Sequence, residues 1–70
     1  MDPAYTTGIL RQILFGLQKG RKEFAFTYES SQIQNLTETL QKLYGIPFEI
    51  SCDVDPDKHK EVTVYLLFES

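Results

Sequence analysis

Residues 61–69, Glu61-Val62-Thr63-Val64-Tyr65-Leu66-Leu67-Phe68-Glu69, form the most apolar and most β-branched or aromatic run of the chain, with an acid at each end. A run of this kind predicts a strand that is largely buried. Val62, Val64, Leu66 and Phe68 share one face at period two, and Thr63, Tyr65 and Leu67 share the other. The second face is unusually apolar for a surface. A strand with two such faces belongs in the middle of a sheet, so the rest of the chain must supply its neighbours.

Two alternating segments do so. Phe24, Phe26 and Tyr28 line one side of a strand over 22–29, with Glu23, Ala25, Thr27 and Glu29 on the other. Phe48, Ile50, Cys52 and Val54 alternate with Glu49, Ser51 and Asp53 over 47–54, where the leading Pro47 and the outward polar groups suit an edge strand. The cluster Asp55-Pro56-Asp57-Lys58-His59-Lys60 is turn-forming and joins this segment to the last strand as a hairpin with a longer loop.

Two helices complete the set. Asp2-Pro3 is a start signal, an N-cap followed by a proline whose missing N–H costs nothing at the first helical position. Ile9, Leu10, Ile13, Leu14 and Leu17 then cover an arc of about 140°, and Gly20 supplies a stop, giving a helix over 3–19. Phe15 falls off that arc, with Arg11 and Gln18 nearby. A loop or terminus covers it, or it anchors a partner. Ser31 and Gln34 fit a capping box for a helix over 32–44, whose stripe is Ile33, Leu36, Leu40, Leu43 and Tyr44. Gly45 and Pro47 end it.

The order is therefore α-β-α-β-β in one domain, 1–70. The helix over 32–44 makes a right-handed crossover between the first two strands. The third strand, a hairpin partner of the second, inserts between them and runs antiparallel to both. Charged flanks on the first two strands and an uncharged middle in the third favour this 1-3-2 order over one with the third strand outside. With both helices on the face carrying Phe24, Phe26, Tyr28, Phe48 and Ile50, the expected fold is a two-layer α+β sandwich.

Few sites of chemistry stand out. Asp53, Asp55 and Asp57 resemble the opening of a calcium loop, but Lys58 and Val64 occupy the places that need Gly and Glu. One histidine and one cysteine cannot build a zinc site. Cys52 reads as a small core residue, His59 across a turn is a poor base for it, and no glycine-rich phosphate loop exists. No catalytic residue, metal or cofactor is expected, and an enzyme is the least supported class. A lone cysteine, no cationic and apolar leader and no run long enough to span a bilayer lead to a cytoplasmic expectation, without membrane contact.

Two function classes remain. The first is a small protein-binding module, a regulator or inhibitor, using the apolar groups left over by a two-layer core: Tyr65, Leu67 and neighbouring Thr63 on the open sheet face, and Phe15 on the first helix. Its partner is another protein or a second copy of the chain. Compact acidic chains without catalytic residues are common among accessory factors, including those of phages and other mobile elements. The alternative is a nucleic-acid-binding module that grips phosphates with Arg11, Lys19, Arg21 and Lys22. Residues 1–22 carry those four cations against Asp2 alone, but the whole chain has a net charge of −3, which disfavours that reading.

Overall fold

The computed structural model describes residues 2–69. Along the chain come α1 (Pro3–Gln18), β1 (Glu23–Glu29), a short 3-10 turn (Ser30–Gln32), α2 (Ile33–Tyr44), β2 (Phe48–Cys52) and β3 (Glu61–Phe68). The three strands form one sheet in the order β1-β3-β2, with β3 antiparallel to both neighbours. The α+β fold with a central last strand is thus as the alternation and charge distribution predict.

Both helices lie on one face of the sheet. Ile9 and Ile13 of α1, Leu36 and Leu40 of α2, and Phe24, Tyr28, Val62, Val64, Leu66 and Phe68 of the sheet make a single buried cluster. The helices are tied together where the Tyr44 hydroxyl donates to the Leu10 carbonyl at 3.0 Å. Phe68 is the hub of the aromatic part, with Phe24, Tyr44 and Phe48 ring centroids at 5.8, 6.1 and 5.5 Å.

The ends of α1 follow their signals. The Asp2 carboxylate accepts from the Ala4 N–H at 2.9 Å. At the other end Gly20 takes φ +87°, and the Arg21 and Gly20 N–H groups return to the Gly16 and Leu17 carbonyls at 2.7 and 3.1 Å. This is a Schellman closure, and the left-handed residue it requires is the glycine.

Several expectations need correction. The capping box of Ser31 and Gln34 does not form: α2 starts one residue later, after the 3-10 turn, with no side-chain cap. The reason is that the end of β1 is fastened to the start of β3. The Ser30 N–H and hydroxyl both donate to the Lys60 carbonyl, at 2.8 and 3.0 Å, and Ser31 turns to the Glu29 carboxylate at 3.2 Å.

Strand β2 stops at Cys52 rather than reaching Val54. There the Asp53 carboxylate accepts the Thr63 N–H at 3.0 Å, replacing a main-chain acceptor and ending the ladder. Leu14 and Leu43, placed on the apolar stripes by periodicity, are both exposed. A sheet of three strands is narrower than the arcs of the helices it carries, so the flank positions overhang it.

Candidate protein-binding surface

The face of the sheet away from the helices carries the odd-numbered residues of β1, β2 and β3. Register places Tyr65 between Ala25 on β1 and Ser51 on β2, and Leu67 between Glu23 and Glu49. Ala25 and Ser51 are too short to shelter the ring between them. Tyr65 is therefore 47% exposed and Leu67 42%, although both belong to the central strand. Thr63 lies in the same row, half-buried, opposite Thr27. Around this row run the carboxylates of Glu23, Glu49, Glu61 and Asp53, and the strands bring no cation to the face. The surface is a shallow concavity with an apolar floor at Tyr65 and Leu67 and a mostly acidic rim, to which Arg21 contributes the one base.

Structure gathers Thr63, Tyr65 and Leu67 and leaves Phe15 apart. Phe15 is 60% exposed, but α1 packs on the opposite side of the sheet. It is an exposed aromatic of the helical layer, beside the exposed Leu14, and not part of the open face.

Of the four cations, Lys19, Arg21 and Lys22 lie together between α1 and β1, and Arg11 stands apart from them. Arg11 precedes Lys19 by two helical turns, a rise of about 12 Å. Arg21 is engaged within the chain: its guanidinium lies 5.0 Å from the Phe24 ring centre and its Nε donates to the Glu23 carbonyl at 2.8 Å. Phe24 and Tyr28 are buried, so the aromatic row of β1 offers no stacking platform.

The acidic turn and the cysteine are structural. Asp55 accepts the Asp57 N–H at 2.9 Å, so it and Asp53 both bond to backbone. Among the described residues no cluster of His, Cys, Asp and Glu could hold a metal ion. Burial, and secondarily the Asp53 charge, push the Cys52 thiol above its ordinary value, opposite to what a nucleophile needs. Burial likewise raises the Tyr44 phenol. Among the described residues no helix is long and apolar enough to cross a membrane.

Two residues escaped sequence reasoning. Tyr5 stacks on Tyr28 with ring centroids 6.4 Å apart and donates its hydroxyl to the Thr27 carbonyl. Gly16 lets α1 approach β1 so closely that a Cβ there would lie 2.4 Å from the Phe24 ring. Eleven residues separate the two, about three turns, so they share one flank of α1. That spacing was the only available signal.

Comparison with protein-family models, with curated proteins and with solved structures gave no match.

Proposed function

We propose that this chain is a non-enzymatic protein-binding module, a regulator or inhibitor, whose contact surface is the open sheet face. The observation that supports it is the pair Tyr65 and Leu67, apolar side chains of the central strand left uncovered on a face ringed by acids. Aromatic anchors inside a polar rim are the usual anatomy of an interface. The partner this surface suits presents an apolar protrusion set among lysines or arginines. A reducing, cytoplasmic setting goes with this reading, supported by the single cysteine.

The test is the double substitution Tyr65→Ser with Leu67→Ser, both at exposed positions. Stability to urea is expected to stay within about 0.5 kcal/mol of the parent. Proteins retained by the immobilised parent chain, identified by mass spectrometry, are expected to be lost. Retention of the same proteins by the double variant would show that the open face is not the contact.

The nucleic-acid alternative is less well supported, because Arg11 stands apart from the other three cations, Arg21 already contacts Phe24 and the Glu23 carbonyl, and the chain carries a net charge of −3. A heparin column separates the readings. The chain is expected to elute at low salt, whereas retention at salt high enough to screen surface charge would favour phosphate binding.

A further inference from the structure

The two edges of the sheet differ. Along an antiparallel strand, the N–H and C=O of one residue point to the same neighbour and those of the next residue point away. In β1 the residues turned to β3 are even-numbered, since beyond the ends of the ladder the Lys22 carbonyl accepts from Phe68 and the Ser30 N–H donates to Lys60. The odd-numbered residues face the outer edge, and two of their carbonyls are taken: Glu23 accepts from Arg21 Nε and Thr27 from the Tyr5 hydroxyl. This edge is blocked near both ends by the chain itself.

The outer edge of β2 is bare. The Pro47 carbonyl accepts from Glu69 and the Asp53 N–H donates to Thr63, so in β2 the odd-numbered residues face β3. Phe48, Ile50 and Cys52 direct their N–H and C=O groups outward, and among the described residues these groups have no hydrogen-bonding partner. The missing N–H of Pro47 is on the β3 side and does not interrupt this row. Below the edge, the side chains of the same three residues are only half-buried. Leu43, 59% exposed, lies on the flank of α2 away from Tyr44, the residue that reaches α1, and Ile46 is also exposed. The apolar layer is thus unfinished on the β2 side.

We propose that a second copy of the chain closes this edge, its β2 pairing antiparallel with this one about a twofold axis at Ile50. In that register Ile50 faces Ile50 of the second copy and Phe48 faces Cys52, each such pair exchanging two N–H···O bonds. On the open side Glu49 faces Ser51, whose hydroxyl can donate to the carboxylate. The adjacent registers that keep the same hydrogen-bond alternation put Glu49 opposite Glu49, or Glu49 opposite Asp53. Like charges directly opposite oppose pairing, so charge selects the register centred on Ile50. The product is a six-stranded sheet with the helices of both copies on one side and both Tyr65–Leu67 rows on the other.

The experiment is sedimentation equilibrium of the full chain from the micromolar into the submillimolar range. Dimer is expected to accumulate with concentration, independently of reductant, because the two Cys52 side chains face Phe48 and not each other. Ser51→Glu, at an exposed position, places carboxylates opposite each other twice and is expected to weaken the dimer about tenfold. Adding Glu49→Lys to Ser51→Glu makes both contacts attractive and is expected to restore it. Tyr65→Ser with Leu67→Ser leaves this edge untouched and is expected to leave the dimer intact, so the edge and the open face fail or succeed separately. A chain that stays monomeric throughout, a dimer indifferent to Ser51→Glu, or a dimer abolished by the open-face pair overturns the assignment.

Discussion

Phe68→Ala is expected to cost about 3–5 kcal/mol, out of about 4–10 kcal/mol for a domain of this length. Phe68 is 2% exposed and its ring meets those of Phe24, Tyr44 and Phe48, which come from β1, α2 and the edge strand β2. Removing it takes away apolar burial and three ring contacts at once. It also leaves a void that cannot collapse readily, because the neighbouring rings are held by three different backbone elements. The expected result in urea unfolding, followed by far-ultraviolet circular dichroism, is a midpoint near zero denaturant or a chain already largely unfolded. A variant with a midpoint close to the parent's would mean that the four rings are not the centre of the core.

The second large effect is one of sign. Glycine to alanine in a helix interior ordinarily stabilises, by about 0.5–1 kcal/mol. Gly8→Ala is expected to do so, since nothing lies within 4 Å of a Cβ placed there. Gly16→Ala is expected to destabilise by about 2 kcal/mol, because the new methyl would overlap the Phe24 ring at 2.4 and 2.6 Å. The ring has little room to withdraw: Phe68 meets it edge-on and the Arg21 guanidinium lies over it. Parallel urea titrations of the two variants give the comparison directly. A gain in stability at both positions would mean that α1 can shift away from β1 at no cost.

Gly16, unlike Gly8, marks where sequence reasoning runs out. The alternation in β1, β2 and β3 shows which residues face inward, and the charges at Glu23, Glu29, Glu49 and Asp53 against the uncharged stretch Val62–Phe68 show which strand sits between the others. Both are properties of single segments and survive in the fold. Gly16 and Tyr5 act through a distance between two elements, and a hydrophobic pattern contains no distances. Gly16 has no side chain to register in it, and Tyr5 lies outside the stripe because its role is to cover a strand edge. Ser31 and Gln34 had the right spacing for a cap, yet the Ser30–Lys60 bonds set the chain direction first. Periodicity puts Leu14 and Leu43 on buried stripes because a helical wheel does not show how wide the opposing sheet is. For the candidate surface, the exposure of Tyr65 and Leu67 was legible as a remainder, the apolar groups unused once both helices had a place. The separation of Phe15 from them was not, since it depends on which layer carries α1.

The central position of β3 also governs how the chain can fold in time. β1 and β2 touch β3 and not each other, so neither has a sheet neighbour until the last strand is made. A nascent chain that has emerged only as far as β2 holds two strands that cannot pair as they do in the finished molecule. The hairpin of β2 and β3 needs only the loop over 53–60 between them, whereas β1 must close onto β3 across α2 and that hairpin, at a larger entropic cost. Loss of β3 by premature termination or cleavage would thus remove every strand contact together, leaving no smaller sheet behind.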